Sequence, residues 1–163
     1  MAVTYASIAS TTLGSGVSTY TFSSIPQTYT DLVIVIYTAT STGAYCNIRF
    51  NNDSSTTYYQ VSMEGLSSGP ISEKTSSTYF VCNWHGAAFS SSTRWCSYYG
   101  HIMSYSNTSV KKNLMGQWNG NGEVDVAHGT WPSTAAVSSL TVFTPSNTFA
   151  SGTTISLYGI KAA

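Results

Sequence analysis

The stretch SSLTVFTPSNTFASGTTISLYGIK, residues 138–161, decides the fold because it carries the pattern of two consecutive strands. Apolar residues alternate with serine and threonine on both sides of a turn signal at residues 145–147, and the only charge is Lys161. Alternation with a period of two is typical of a strand with one face in a core and the other in solvent. The stretch therefore predicts two strands whose solvent-facing half is built from hydroxyl groups.

Strand-like runs separated by turn chemistry continue through the rest of the chain. The longest apolar run, LVIVIY at residues 32–37, does not alternate and predicts a central strand buried on both faces. Two alternating runs flank Gly14-Ser15-Gly16, which is typical of a β-hairpin. No stretch of about eleven residues shows helical periodicity, and at most one helical turn is expected, in PSTAAVSS at residues 132–139. We count about ten strands by these criteria.

These patterns predict an all-β protein, an antiparallel two-sheet β-sandwich of jelly-roll type that occupies residues 1–163 as one domain. Two further runs alternate, YCNIRF at residues 45–50 and YYQVSME at residues 58–64. The residues in phase are Cys46, Ile48 and Phe50 in the first run and Tyr59, Val61 and Met63 in the second. The residues expected in the core are Ile34, Val35, Phe50, Val142 and Leu157.

The composition excludes several classes of partner. Charged residues make up 7% of the chain, against about a quarter in an average soluble domain, and the formal net charge is zero. The six basic residues are scattered, so no basic stripe is available for a nucleic acid. The longest apolar run is far shorter than the ~20 residues that span a bilayer, and the first ten residues lack the pattern of a secretory signal. We therefore predict neither a nucleic-acid partner nor a membrane partner.

One set of residues has the outline of a zinc site, C-x2-H-x10-C-x4-H, formed by Cys82, His85, Cys96 and His101. Residues three apart on a strand point to opposite faces, so the first two ligands would diverge. A zinc knuckle needs a tight turn between them, which the intervening Asn-Trp does not supply. We therefore predict no metal and no cofactor. Three cysteines at irregular spacing instead indicate folding in a reducing cytosol.

The same segment also favours a hairpin centred on Phe89. In that register Cys82 lies directly opposite Cys96, and Trp84 lies opposite Arg94 as an aromatic–cation pair. Cross-strand cysteines of this kind can oxidise once a protein leaves the cell.

Catalytic chemistry has little support in the sequence. Glu123 and Asp125 would share a strand face, and a glycosidase needs two carboxylates about 5 to 10 Å apart. Neighbouring acids at a strand edge usually face water, however, and His128 has no partner that the sequence assigns. No G-x-S-x-G elbow, P-loop or HExxH motif is present. We therefore predict that the protein is not an enzyme and has no catalytic residues.

Aromatic side chains are the remaining candidates for binding. Twelve tyrosines and four tryptophans are many for a chain of this length. Most are expected to fill the core and its rims, whereas exposed members can stack on sugar rings or anchor a protein interface. The tryptophans considered as exposed binding residues are Trp84, Trp95 and Trp118.

Three blocks of the sequence resemble a β-sandwich family of tailed-bacteriophage virion proteins. Residues 5–41 are similar to its opening block, which has a Gly/Ser turn, an F-x-S-I-P-x-T-Y segment and a buried strand. Residues 48–65 resemble its next block, an R-F-N-G-D turn before a tyrosine-containing strand, with Asn52 in place of glycine. Residues 129–161 resemble its closing block, with W-x-S-T-A-A and a terminal L-Y-G-I. Residues 66–100 fall outside the resemblance.

The resemblance implies a structural protein of the virion with no catalytic residues. In this family the domain occurs as a small capsid decoration protein and as a module of larger fibre proteins. We expect a fibre to need an attachment segment or shaft beyond its tip, whereas the expected strands fill the chain from about Val3 to about Ile160. This favours a decoration (cement) protein, made in the bacterial cytoplasm, that binds the major capsid protein on the outer capsid surface as a homotrimer.

The alternative is an adhesive module of a head or tail fibre that recognises host-surface glycan through exposed aromatics. A third hypothesis, a hydrolase of host polysaccharide, depends only on Glu123 and Asp125.

Overall fold

The computed structural model of the protein describes residues 4–39, 45–66, 69–82, 95–120 and 123–161. It confirms the predicted antiparallel two-sheet β-sandwich, and the described residues form no helix. The described residues form twelve strands, whereas the sequence predicted about ten. They are β1 (Tyr5–Thr12), β2 (Thr19–Phe22), β3 (Asp31–Thr38), β4 (Asn47–Phe50), β5 (Tyr58–Leu66), β6 (Gly69–Ser77), β7 (Phe80–Val81), β8 (Cys96–Met103), β9 (Lys112–Gly120), β10 (Glu123–Trp131), β11 (Leu140–Phe143) and β12 (Thr154–Ile160).

The two sheets differ in size. The large sheet has eight strands in the order β1-β12-β3-β8-β9-β10-β5-β6, and the small sheet has four in the order β2-β11-β4-β7. Because four short strands cannot cover both faces of eight longer ones, one face of the large sheet packs on the small sheet and the other has no second layer within the described chain. This asymmetry determines where the candidate site lies.

The predicted hairpin around Gly14–Gly16 is wrong. Strand β1 pairs with β12 in the large sheet, whereas β2 pairs with β11 in the small sheet. The glycine-containing turn, in which Gly16 has a φ of 77°, therefore carries the chain from one sheet to the other. Residues 132–139 also contain no helical turn. Turn-forming residues indicate that the chain changes direction, but tertiary packing decides which strands become neighbours.

The core between the sheets contains four of the five residues predicted for it. Ile34, Phe50, Val142 and Leu157 are fully buried. Val35, the fifth, is 37% exposed, so that prediction is wrong. The apolar run of β3 is continuous, but only its inward positions meet the small sheet, and Val35 points to the opposite face.

An aromatic cluster fills the core between β4, β5, β7 and β10. The ring of Phe50 meets those of Phe80 and Trp131 edge to face, with centroids 5.3 and 5.7 Å apart. Tyr58 also meets Phe80 edge to face at 4.8 Å. Gly129 on β10 faces this cluster, and a β-carbon there would overlap the ring of Phe80. The glycine therefore makes room for the aromatic packing.

The turn between β4 and β5 is stabilised by Asp53. Its Oδ1 accepts hydrogen bonds from the backbone N–H of Ser55 at 2.9 Å and of Thr56 at 3.1 Å, and Oδ2 accepts one from Trp131 Nε1 at 2.8 Å. Asn52, which stands where the resembled family has glycine, has a φ of 53°, in the left-handed region that asparagine tolerates. Burial raises the pKa of the Asp53 carboxyl, but the hydrogen bonds outweigh this effect and hold that pKa well below its usual range.

We expect Asp53→Asn to lower the free energy of unfolding by about 2 kcal/mol at neutral pH, because charge-assisted hydrogen bonds are lost. Folding depresses the pKa of this carboxyl, so it stabilises the folded state above its unfolded pKa of about 3.9. That stabilisation is lost as pH falls towards the folded pKa. Thermal unfolding from pH 7 to pH 2.5 should therefore show a smaller acid-induced loss in the variant. Parallel pH profiles for the two proteins would contradict this role, and Ser54→Ala in the same turn is the control.

Lys112 is an unexpected member of the interior, because its side chain is fully buried. Its ammonium group donates hydrogen bonds to the carbonyl oxygens of Asn107 at 2.5 Å, Val110 at 2.6 Å and Thr134 at 3.1 Å. Burial lowers the pKa of this group. The lysine joins the loop before β9 to the segment that follows β10.

Candidate interaction surface

On two neighbouring strands of the large sheet, polar side chains face the core and apolar side chains face outward, which is the reverse of the usual arrangement. On β5 the polar residues Gln60, Ser62 and Glu64 are buried, whereas Val61 and Met63 are 48% and 69% exposed. Gln60 is satisfied inside the core because its amide exchanges two hydrogen bonds with the backbone of Val81 on β7, at 2.8 and 2.9 Å. The inward side of β5 thus binds the small sheet through polar groups, and its apolar side chains lie outside.

Strand β10 repeats this arrangement. Asp125 is buried on the inward side, together with Ala127, while Val124 and Val126 are 46% and 50% exposed. Since β10 lies between β5 and β9, the outward side chains of the three strands form a continuous surface. An exposed surface of this kind is informative, because monomeric soluble proteins rarely leave a contiguous apolar patch uncovered.

We call this surface the outer apolar face. It extends over five adjacent strands, β3, β8, β9, β10 and β5. Its residues are between 37% and 69% exposed. They are Val35, Tyr37, Val61, Met63, Tyr99, Met115, Val124 and Val126.

The strand register places these side chains next to one another. Across the sheet, Val35 pairs with Tyr99, and Val126 lies between Gln117 and Met63. With strands about 4.8 Å apart and about 3.4 Å per residue, five strands and five positions cover on the order of 400 Å². That area lies within the range of about 300 to 600 Å² for the largest patch of a typical monomer, which is often functional, and is about half of the ~800 Å² that each partner buries in a standard interface.

Few charges accompany this apolar surface. His101 on β8 lies with its Nε2 3.0 Å from Asp31 Oδ2, and Asp31 Oδ1 also accepts the backbone N–H of Ser104 at 2.7 Å. His128 is exposed beside Val61, and Lys74 lies outside it on the edge strand β6. The centre of the face is therefore almost free of formal charge, so that little desolvation of ions opposes its burial.

A second feature lies on the outer side of the small sheet. A cavity of about 150 Å³ is lined by Tyr45, Asn47, Tyr79 and Val81. Asn47 is fully buried, yet neither atom of its side-chain amide has a hydrogen-bond partner among the residues that the structure describes. A buried amide without a partner costs free energy, and a hydroxyl group of a ligand would satisfy it.

The three tryptophans proposed from the sequence as exposed binding residues differ in their positions. Trp118 lies on the inward side of β9 and is only 3% exposed, so the prediction of an exposed side chain is wrong. The parity of β9 explains this, because Leu114 and Trp118 share the core side and Met115 the outer side. Trp95 is half-buried and stacks on Tyr37 with ring centroids 5.0 Å apart. Trp84 lies outside the described residues.

The predicted pairing of Cys82 with Cys96 is wrong. Cys82 follows β7 in the small sheet, whereas Cys96 begins β8 in the large sheet and pairs with Thr38. The two cysteines are therefore not opposite each other on paired strands. The expected centre of the predicted hairpin at Phe89 and the Trp84–Arg94 pair lie outside the described residues.

The residues with the spacing of a zinc site do not come together in the part of the chain that the structure describes. Cys96 is buried on the inward side of β8 and His101 lies on its outer side, while Cys82 belongs to the other sheet. His85 lies outside the described residues. Within the described ranges, no three histidine, cysteine or acidic side chains lie together as a metal site would require.

The carboxylates of β10 occupy a different environment from the predicted one. Glu123 and Asp125 share a strand face, as expected, but that face is the inward one, and Asp125 is 3% exposed rather than in water. Asp125 pairs in register with Glu64, which is 4% exposed. Glu64 and Asp125 are thus enclosed, whereas Glu123 is half-buried.

Comparison with known proteins gave no match, neither to a family profile nor to a curated sequence. In the described part of the chain, no helix has the length and apolar character needed to cross a membrane.

Proposed function

We propose that the protein is a decoration protein of a bacteriophage capsid that binds the outer shell through its outer apolar face. The observation that carries the proposal is the reversed pattern of β5 and β10, which exposes Val61, Met63 and Val126 while burying Gln60 and Asp125. Placing apolar groups outside and polar groups inside costs stability in an isolated domain. The cost is offset when another protein surface covers the face.

The occupant that fits this face is a protein lattice of the capsid. The face is broad and sheet-like, which suits the surface between neighbouring subunits of the major capsid protein. It carries aromatic, methionine and aliphatic side chains, which are enriched at the centres of protein interfaces, around the polar side chain of Gln117. Binding where capsid subunits meet would stabilise the shell by mass action, because only the assembled state offers the complete site. The protein would be made in the bacterial cytoplasm and reside on the outside of the virion.

The assembly expected for this role is a homotrimer, because a closed three-fold oligomer matches the local three-fold positions of an icosahedral lattice. Light scattering on the purified protein should give three times the chain mass of 17.4 kDa. Retention on purified capsids should change less than about threefold between 0.05 and 0.5 M salt, because few charges are available to screen. A persistent monomer that fails to bind capsids would defeat the proposal.

A second candidate function is glycan adhesion, and the cavity on the small sheet favours it. Tyr45 is 42% exposed at its rim and offers a ring for stacking on a sugar, while Asn47 supplies the amide that a hydroxyl group would satisfy. The same retention experiment separates the two functions. A monomer that binds host-cell envelopes and is released by free oligosaccharide would identify an adhesive module.

A further inference from the structure

The structure brings two cysteines together that the sequence does not pair. Strands β4 and β7 are antiparallel, with Asn47 opposite Val81 and Ile48 opposite Phe80. One position beyond the first pair, Cys46 stands opposite Cys82, and the backbone N–H of Cys82 donates a hydrogen bond to the carbonyl oxygen of Cys46 at 2.8 Å.

The two thiols point to the same side of the small sheet and are in contact. Both side chains belong to the core cluster, and each residue is 2% exposed. A hydrogen bond joins the two thiol groups, and the Tyr98 hydroxyl forms another with the Cys82 sulfur. Opposite residues of an antiparallel pair have Cα atoms about 4.5 to 5.5 Å apart, which falls within the ~4.4 to 6.8 Å that disulfides span. Neither cysteine is in a disulfide in the structure.

We propose that Cys46 and Cys82 are a redox modification site, which a low-molecular-weight disulfide converts into a cross-strand disulfide between β4 and β7. One thiolate attacks the reagent RSSR, which forms a mixed disulfide and releases RS⁻. The second thiolate then attacks the protein sulfur of that mixed disulfide and releases the second RS⁻. The protein loses two electrons and two protons, and the reagent is reduced to two RSH. This inference does not depend on the proposed function.

The new bond would stabilise the weakest edge of the fold. Strand β7 has two residues and is the shortest of the strands in the described residues, where β4 is its one neighbour in the small sheet. A disulfide between Cys46 and Cys82 would close the loop of residues 47–81, which contains the Asp53 turn and the β5–β6 hairpin. In the reducing cytosol the two cysteines stay as thiols, and in an oxidising extracellular environment they form the disulfide.

The burial of the pair sets the rate of this reaction. Burial raises the pKa of the Cys82 thiol, and the neighbouring Cys46 raises it further, so the reactive thiolate is scarce at neutral pH. Exchange also requires a transient opening of the sheet edge, since both sulfurs are enclosed. We therefore expect oxidation over hours at pH 7 and a faster reaction at pH 8.5.

The test treats the reduced, folded protein with oxidised glutathione at both pH values, alkylates the remaining thiols and digests with trypsin. Cleavage after Arg49, Lys74 and Arg94 places the three cysteines on separate peptides, residues 1–49, 75–94 and 95–111. The expected product links peptides 1–49 and 75–94 and leaves Cys96 unlinked. The melting temperature should rise by about 5 to 10 °C and return to its initial value in reductant.

Two single variants complete the test. Cys96→Ala should form the cross-link and show the full rise in melting temperature, and Cys46→Ala should show neither. A dominant link between Cys82 and Cys96, or recovery of all three thiols alkylated after a day at pH 8.5, would overturn the proposal. As a control for the activity of the reagent, urea-unfolded protein is treated with oxidised glutathione in parallel.

Discussion

Val126→Asp is expected to reduce retention on capsids at least 100-fold while leaving the folded protein intact. Val126 is an exposed member of the outer apolar face, between Gln117 on β9 and Met63 on β5. A carboxylate there would lose its hydration on docking without gaining a partner, and a 100-fold loss corresponds to about 2.7 kcal/mol. Because Val126 is 50% exposed in the free protein, the substitution removes little packing from the fold.

The matched control is Thr19→Asp, which places the same charge on an exposed, β-branched position of the small sheet. We expect its capsid retention to stay within twofold of the unmodified protein. Melting temperature and solution mass are measured for both variants. If Val126→Asp binds capsids normally, the outer apolar face is not the docking surface. If instead it lowers the solution mass, that face joins copies of the chain to one another.

Gly129→Ala is expected to lower the free energy of unfolding by about 3 kcal/mol, the largest effect on stability that we predict for a single methyl group. The added β-carbon would overlap the ring of Phe80 and lie 3.1 Å from the backbone oxygen of Tyr59. Phe80 cannot move freely, because it is packed against both Phe50 and Tyr58. Overpacking of a core commonly costs about 1 to 3 kcal/mol, and here a backbone atom also resists the displacement.

Gly65→Ala is the control, because it makes the same chemical change on the strand next to β10. Its β-carbon would meet only the backbone oxygen of Val124 at 3.8 Å, and the residue is exposed. We expect no loss of stability, since alanine is favoured over glycine within a strand. Urea unfolding of the three proteins measures the difference. Equal midpoints for Gly129→Ala and Gly65→Ala would show that the aromatic cluster adapts without cost.

The sequence predicts the fold class well because alternation is a local property. The run at residues 45–50 placed Cys46, Ile48 and Phe50 on one face, and all three are in the core. Strand neighbours are not local, so the turn at Gly14–Gly16 did not reveal that β1 and β2 enter different sheets. In the same way, the pairing of Cys82 depends on where β7 adds to the small sheet, which its flanking residues do not encode.

The candidate surface was harder to predict than the fold. Tyr59, Val61 and Met63 are in phase, as the sequence indicated, but periodicity does not distinguish the core face from the outer face. One signal was present, since Gln60, Ser62 and Glu64 alternate with the apolar residues and one of the two sets has to be buried. Lys112 gave no signal at all, because its burial depends on three carbonyl groups that only the folded loops bring together.

The reversed alternation of β5 has a consequence for how the chain folds. Shifting this strand by one residue would bury Tyr59, Val61 and Met63 and would release its polar side chains to water, so hydrophobic burial alone favours the wrong alignment. The native alignment is selected by directional bonds, chiefly the two between Gln60 and Val81 and the one from the backbone N–H of Phe50 to the Tyr58 hydroxyl. The two bonds between Gln60 and Val81 form late, because Val81 lies 21 residues further along the chain and belongs to the other sheet. Newly made chains therefore pass through a stage in which a slipped β5 competes with the native one, and concentrated refolding mixtures are where the misaligned form should accumulate.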